Sequence, residues 1–220
     1  PMPTPDPDEG IQLNVADLKD MINQAVFAAS ADEARPILTG VLMKVDGDKI
    51  SLAAADGFRL SVRNAELSSP TDQSFSAVIP ARALSELSRI STDGKESVRM
   101  VLPDRSGRVI FRTKDAELVS QLIEGSFPDY EQIIPQNYKT RTVLPTASFL
   151  KACKQAEIFA REGSLIARVN IIPGGDLEPG TVEISGQSEE TGSSQTIGDA
   201  SIEGPSLLIA FNVRFLREVL

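Results

Sequence analysis

Apolar residues near the start of the chain recur with the period of an α-helix. After a short alternating run at residues 11–15, six apolar residues are spaced at i, i+3, i+4, i+7, i+8 and i+11: Leu18, Met21, Ile22, Ala25, Val26 and Ala29. Side chains at these intervals share one face of a helix. The pattern therefore predicts a strand followed by an amphipathic helix.

The pattern then changes to the alternation typical of strands. Runs at 40–45, 50–55 and 58–65, with a turn signal at 46–48, predict an antiparallel meander. A further strand at 75–79 leads to Pro80, a favourable first-turn residue, and to a second helix over 83–90. Three more strand-like runs follow at 98–102, 108–113 and 117–123. This part of the chain is thus expected to form an α+β domain over residues 11–125.

A proline-containing connector follows the first domain. Pro128 and Pro135 disfavour a helix through this stretch, while Phe127, Tyr130 and Ile133 are too apolar for a solvated tether. We therefore expect residues 126–140 to pack against their neighbours. Residues 1–10 are proline-rich and acidic and are expected to be a linker.

The order of elements restarts after the connector. Residues 16–28 align with 148–160 at an offset of 132, and at the same offset 82–86 align with 214–218. The fold expected is a duplicated domain, an antiparallel sheet with two helices per copy, with the second copy at 141–220. That copy ends inside its second helix, so we expect it to be incomplete and the chain to be a fragment.

The amino-acid composition excludes several classes of function. Histidine is absent and Cys153 is the single cysteine, so triads and zinc sites lack their components, and neither an enzyme nor a metal or other cofactor is expected. The lone cysteine fits a reducing cytoplasm, and no apolar run reaches the roughly 18 residues of a membrane span. A net charge of -9 argues against tight nucleic-acid binding over the whole surface, although a local basic face stays open.

Four stretches, at 35–40, 55–60, 127–130 and 211–216, resemble the bacterial DNA polymerase III beta subunit family, the sliding clamps. The resemblance implies a DNA-clamp fold, in which three copies of one domain form a subunit and two subunits close into a ring around duplex DNA. This chain resembles the middle domain and part of the third. The implied function is non-catalytic tethering of the replicative polymerase, with a clamp loader and repair proteins as further partners. A full-length protein would be a homodimer, and this fragment is expected to be monomeric.

The resemblance implies a DNA-facing set of basic residues. A helical wheel places Lys154 and Arg161 within about 80° of Lys151, opposite the apolar face. The full set is Lys19, Arg35, Arg82, Arg89, Lys151, Lys154, Arg161, Arg214 and Arg217. The alternative is an ordinary solvated helix face, and Glu86 and Glu162 interrupt the basic pattern.

The resemblance also implies a groove for short linear peptides. Its positions are Leu38, Ala55, Gly57, Phe58, Arg59, Leu60, Pro128, Gln132, Ile133, Ile166, Asn212 and Phe215. The apolar members suit a peptide's anchors, and Leu60 is expected to meet Ile133. The alternative is plain core with a turn glycine. Ala55, Phe58 and Gln132 replace the threonine, histidine and arginine common in the family, which changes the polar specificity.

Two other functions are weaker alternatives. A peptide-binding adaptor without a DNA role shares the groove but not the repeated domains of a ring. A carboxylate site at Glu189, Glu190 and Asp199 would hold a metal or act as acid and base, but an acidic hairpin loop explains these residues better because no apolar frame surrounds them. A carboxylate-dependent nuclease is disfavoured because no acidic residues cluster at one predicted strand end.

Overall fold

The computed structural model describes residues 10–91, 96–102, 107–161, 165–175, 177–188 and 192–220. These residues form two compact units, which meet in the chain between Glu131 and Gln132 and which we call unit 1 and unit 2. The predicted linker, apart from Gly10, and the acidic residues Glu162, Glu189 and Glu190 lie outside the described residues.

Unit 1 contains strands and helices in the predicted order. The strands are β1 (Ile11–Asn14), β2 (Gly40–Asp46), β3 (Lys49–Ala55), β4 (Leu60–Glu66), β5 (Phe75–Pro80), β6 (Ser97–Val101), β7 (Arg108–Arg112) and β8 (Glu117–Gln121). The helices are α1 (Val15–Ala25) and α2 (Ala81–Ile90), with 3-10 helices at Val26–Ala28 and Pro36–Thr39.

The strands of unit 1 form two antiparallel sheets, ordered β1-β6-β7-β8 and β4-β3-β2-β5. One core of apolar side chains draws on both sheets and both helices, with Met43, Leu52, Ile79, Leu84 and Phe111 among its fully buried members. The amphipathic helices thus bury the faces that their sequence spacing predicts.

Local chemistry moves three element boundaries from their predicted positions. Asn14 caps α1 by accepting hydrogen bonds from the amides of Ala16 and Asp17, but the α-helix ends at Ala25 and only a 3-10 turn continues towards Ala29. Pro80 is the last residue of β5 rather than a first-turn residue, because its ψ of 129° is extended. Strand β4 begins at Leu60, two residues later than predicted, after a tight turn described below.

Unit 2 repeats this architecture on a single sheet. Its strands are β9 (Arg141–Val143), β10 (Ile166–Ile172), β11 (Gly180–Ser188), β12 (Gly192–Glu203) and β13 (Leu207–Asn212), in the order β13-β10-β11-β12-β9. Its helices are α3 (Thr146–Ala160) and α4 (Val213–Val219). A 3-10 turn, Glu131–Ile133, lies at the boundary between the units.

The sheet order confirms the duplication. β12-β11-β10-β13 of unit 2 repeats β4-β3-β2-β5 of unit 1, and β13 lies at the predicted offset of 132 from β5. Each copy carries two helices, one before the meander and one after it. The prediction of an α+β fold with a duplicated antiparallel domain is therefore confirmed.

The core of unit 2 is built from smaller side chains than that of unit 1. Its buried members are Ala152, Cys153, Ala156, Ala160, Ala167, Val169, Val182, Ile184, Ala200 and Val213. Small residues allow α3 to approach the sheet closely. At Gly186 of β11, an added Cβ would lie 2.2 Å from the carbonyl oxygen of Ala156.

A segment at residues 122–130 covers the outer face of the β4-β3-β2-β5 sheet. Tyr130, only 6% exposed, packs with Leu42, Ala53 and Val78. The amide of Ile123 donates to the carbonyl of Val78 at 2.8 Å, which ties the segment to β5. The connector up to Tyr130 thus packs on unit 1, whereas residues 131–139 are exposed.

In the part of the chain that the structure describes, no helix combines the length and the apolar character needed to cross a membrane.

Candidate functional site

A basic depression lies between α3 and α4 of unit 2. It has a volume of about 430 Å³. Its lining residues are Lys154, Glu157, Ile158, Arg161, Arg214, Arg217 and Glu218. The opposite face of α3 buries alanines and Cys153 against the sheet, so the lysine and arginine side chains of α3 point away from the core. Four residues of the predicted DNA-facing set therefore share one concave surface, while Lys151 is exposed on α3 outside its lining.

Ion pairing divides the cations of this depression into two kinds. Arg217 is held by Glu157, with 2.7 Å between Nη1 and Oε2, and the glutamate side chain is 14% exposed. Lys154, Arg161 and Arg214 are exposed and form no ion pair with another described residue. Three cations in one depression are thus available to an anion.

One lining residue was missed by the sequence analysis. Ile158 is 66% exposed although it is apolar. On the same helical wheel it lies among Lys151, Lys154 and Arg161, so its position was readable, but an isolated isoleucine carries no charge signal. It places an apolar surface in the middle of the basic depression.

The predicted basic residues of unit 1 are mostly engaged with other groups. Lys19 is half-buried, and its ammonium donates to the carbonyl of Ser91 at 2.8 Å, which joins α1 to the end of α2. Arg35 pairs with Asp32 at 3.2 Å, and Arg89 pairs with Glu86. Arg82 is exposed and has no ion-pair partner among the described residues.

Two of these pairs shift the ionisation of their carboxyl groups. The hydrogen bond from Arg89 lowers the pKa of Glu86 below its usual range. A hydrogen bond from the amide of Ala34, supported by Arg35, lowers the pKa of Asp32. Both carboxylates are therefore ionised at neutral pH and compensate the positive charge of unit 1.

A tight turn between β3 and β4 presents Phe58 to solvent. Oδ1 of Asp56 accepts hydrogen bonds from the amides of Phe58 and Arg59, at 2.8 and 3.0 Å. Gly57 has φ of +95°, a conformation that other residues rarely adopt. Phe58 itself is 83% exposed. The turn therefore holds an aromatic ring outside the core of unit 1.

Arg59 and Asn212, which the sequence analysis assigned to a peptide's polar groups, have structural partners. Nε of Arg59 pairs with Asp56 at 3.0 Å, and its guanidinium lies over the ring of Phe27, 5.5 Å from the centroid. The side chain of Asn212 caps α4 by accepting from the amide of Arg214 at 3.0 Å. Both side chains stabilise the local fold, which leaves less of their hydrogen-bonding capacity for a ligand.

The other predicted groove residues divide between the units. In unit 1, Leu38 is buried, Ala55 and Leu60 are half-buried, and Pro128 is exposed. In unit 2, the apolar Ile133 and Ile166 are 68% and 46% exposed. Gln132 is exposed and Phe215 is half-buried. Several members are thus open on the surface of their own unit, and the contact of Leu60 with Ile133 stays a prediction.

A carboxylate centre finds no support in the described residues. Asp199 is exposed on β12, whereas Glu189 and Glu190 lie outside those residues. Among the residues that are described, no group of three or more histidine, cysteine, aspartate and glutamate side chains is placed to hold a metal ion.

Comparison with known proteins places these features in a family. Residues 12–129 match the DNA polymerase III beta subunit, central domain, and residues 131–220 match the C-terminal domain of the same subunit. The chain is 38% identical over 211 residues to the beta sliding clamp of Bacillus subtilis, covering 96% of this chain and 54% of that protein. It is 34% identical to the beta sliding clamp of Staphylococcus aureus, covering 97% of this chain and 55% of that one.

Solved structures agree with this assignment. The sliding clamp of Bacillus subtilis superposes with a TM-score of 0.89 at 36% identity, covering 100% of this chain and 56% of that chain. The beta subunit from Streptococcus pyogenes superposes with a TM-score of 0.90 at 26% identity, covering 100% of this chain and 57% of that one. The chain spans about half the length of the relatives that it matches. It therefore belongs to the DNA polymerase III beta subunit family, the bacterial sliding clamps.

Proposed function

We propose that this chain forms part of a sliding clamp, a ring that encircles duplex DNA and tethers the replicative polymerase without catalysis of its own. The observation that carries the proposal is the duplicated α+β domain, in which each copy presents a pair of helices on one side of an antiparallel sheet. The family match over both copies supports it. The basic residues of these helices, together with Arg35 and with Arg161 at the C-cap of α3, are the proposed DNA-facing set.

The acidic balance of the chain agrees with this function. A ring that holds DNA by enclosing it does not need the many phosphate contacts that a tight binder uses, and weak contacts favour sliding. A net charge of -9 together with a local basic depression is compatible with such a protein.

Within this proposal the sequence divides as the repeat indicates. Residues 1–10 are the linker, 11–125 the middle clamp domain, 126–140 the connector and 141–220 the third domain. The proposed location is the cytoplasm, where replication takes place. The proposed partners are duplex DNA, the polymerase, the clamp loader and repair proteins.

We further propose that these protein partners bind through short linear peptides to the predicted groove. Exposed apolar side chains at Phe58, Ile133 and Ile166 support a surface that gains free energy by covering them. In unit 1, Leu60 adds a half-buried apolar side chain.

The decisive experiment tests whether the protein stays on DNA because it encloses the duplex. The product of the complete open reading frame is loaded on nicked circular plasmid by a clamp loader and passed through a gel-filtration column. We expect the protein to elute with the circular DNA and to be released when the plasmid is cut once with a restriction enzyme, because a ring can slide off an end.

A protein held by direct contacts would stay on the linear DNA, and that outcome would contradict the proposal. An adaptor without a DNA role would elute away from both forms of plasmid while still binding clamp-type peptides. The same column run therefore separates the two functions.

A further inference from the structure

The two helix pairs differ in charge although they occupy equivalent places in the repeat. In unit 1, α1 and α2 carry three cations and three anions: Asp17, Lys19, Asp20, Arg82, Glu86 and Arg89. In unit 2, α3, its C-cap Arg161 and α4 carry five cations and two anions: Lys151, Lys154, Glu157, Arg161, Arg214, Arg217 and Glu218. The charge excess is confined to the second copy.

The repeat shows where the excess arises. The burial patterns of α1 and α3 coincide at an offset of 131, which pairs Ile22 with Cys153 and Ala25 with Ala156. Lys154 then corresponds to Asn23 and Arg161 to Ser30, neither of which is charged. Of the four cations that line the depression, only Arg214 has a cationic counterpart, Arg82 at the offset of 132. Unit 1 therefore lacks the residues from which a second basic depression would be built.

Ion pairing enlarges the difference in available positive charge between the two units. Exposed pairs with carboxylates compensate Arg35, Arg63 and Arg89 in unit 1, and the Lys19 ammonium is used between helices. In unit 2 only Arg217 has a described carboxylate partner in the depression, and Glu157 holds its guanidinium there. The cations that have no carboxylate partner among the described residues keep their charge available to phosphate, which forms strong, charge-assisted hydrogen bonds with lysine and arginine.

We propose that contact with the DNA backbone is made by unit 2 alone, with Lys154, Arg161 and Arg214 of the α3–α4 depression binding phosphate and with the helix pair of unit 1 making no ionic contact. Arg217, which is paired with Glu157, is not among the proposed phosphate ligands. Ile158 supplies an apolar surface for the deoxyribose between the phosphates. This inference rests on the proposed function and assigns its phosphate contacts to one of the two copies.

The test compares two variants of equal charge in the 220-residue chain. One replaces the unpaired cations of the depression, Lys154→Gln, Arg161→Gln and Arg214→Gln. The control removes three cations from unit 1, Arg63→Gln, Arg82→Gln and Arg89→Gln. All six positions are exposed, so thermal melting followed by circular dichroism is expected to show folded proteins.

Binding of a 12-base-pair duplex is measured by fluorescence anisotropy at several salt concentrations, and NMR titration locates the contact. We expect the slope of log K against log salt to fall by about 0.9 for each lost phosphate contact, hence by roughly 2.7 in the unit 2 variant. The unit 1 control should change the slope by less than about 0.9. In the unaltered chain, amide shifts should cluster on α3 and α4.

Equal slope losses in both variants, or amide shifts on α1 and α2, would overturn the inference while leaving the ring function intact. Absence of shifts on α3 and α4 would also overturn it, and plasmid retention would then decide the proposed function separately. A polyglutamate peptide of equal charge serves as the probe for an acidic protein partner. If it binds the depression as tightly as the duplex does, the depression is a protein-docking surface.

Discussion

At the scale of single residues, the turn that carries Phe58 is the most informative feature. Asp56 accepts hydrogen bonds from the amides of Phe58 and Arg59, and Arg59 lies over Phe27. These contacts order the turn before any ligand arrives, so little conformational entropy is lost when a partner covers the phenylalanine ring. An ordered, exposed aromatic side chain is typical of binding hot spots.

We therefore expect Phe58→Ala to weaken binding of a clamp-type peptide roughly ten-fold, equivalent to about 1.4 kcal/mol, without unfolding the protein. The measurement is a calorimetric titration of the peptide into the product of the complete open reading frame and into the variant. Leu208→Ala is the matched control, because Leu208 is 67% exposed on β13 and is not among the proposed groove residues. Equal affinity of the Phe58→Ala variant and the unaltered protein would remove Phe58 from the groove.

Sequence alone identified the turn but not what its polar residues do. The glycine in the 55–60 motif indicated a turn, and the positive φ of Gly57 agrees with it. The engagement of Arg59 with Asp56 and Phe27, and of Lys19 with Ser91, depends on residues three to 72 positions away in the chain. Charge patterns show which face a cation occupies, but they do not show whether a partner from another element has already compensated it.

At the scale of elements, the first helix of unit 2 lies close against its sheet. Gly186 of β11 faces Ala156 of α3, and an added Cβ would lie 2.2 Å from the Ala156 carbonyl oxygen. At the corresponding positions, unit 1 has Ala54 in β3 and Ala25 in α1, both fully buried. A glycine at the strand position is therefore a feature of the second copy.

We expect Gly186→Ala to destabilise unit 2 by about 1–3 kcal/mol, because either α3 or β11 must move to admit the methyl group. Gly198→Ala is the matched control in the neighbouring strand β12, where an added Cβ meets no atom within 4 Å. Urea unfolding followed by circular dichroism measures both. A Gly186→Ala protein as stable as the Gly198→Ala protein would show that the helix adjusts without cost.

The order of elements was predictable from hydrophobic spacing, whereas their ends were not. Period and spacing located α1 and α2 because a wrong face would expose a row of apolar side chains. The end of α1 at Ala25 and the start of β4 at Leu60 depend on hydrogen bonds of single residues, which periodicity does not report.

At the scale of the whole molecule, the two units have separate cores that differ in the size of the side chains they bury. Unit 1 buries large side chains such as Phe111, Met43 and Leu52, whereas five of the ten buried core residues described for unit 2 are alanines. Each buried alanine removes less apolar area from water than a larger side chain does, so unit 2 gains less free energy from burial. We expect unit 2 to unfold first.

Cys153 provides the measurement of this order. It is fully buried in the core of unit 2 and is the single cysteine of the chain. We expect a thiol reagent to label it at a lower urea concentration than the one at which most of the strand signal is lost. Labelling that coincides with the last unfolding step would show that unit 2 is the more stable unit.

The same thiol predicts a pH dependence. Burial raises the pKa of Cys153 from 9.0 to about 11 because the thiolate is disfavoured in the core. Between these values the unfolded chain has lost the proton and the folded chain retains it, so the stability of unit 2 falls as the pH rises from about 9 to 11. Cys153→Ala should remove this dependence, as urea titrations at pH 8 and pH 10.5 would show.

Tyr130, the residue that closes the outer face of the unit 1 sheet, also gives the chain a natural optical probe. The protein has no tryptophan and two tyrosines, of which Tyr130 is 6% exposed and Tyr138 is 68% exposed. The ring of Tyr130 is flanked by Phe127 at 6.4 Å between centroids and by the ammonium of Lys44 at 5.4 Å. Its intrinsic emission is therefore shielded from a dissolved quencher such as acrylamide, whereas that of Tyr138 is accessible. The shielded fraction reports, without any label, whether segment 122–130 stays on its sheet when a partner binds.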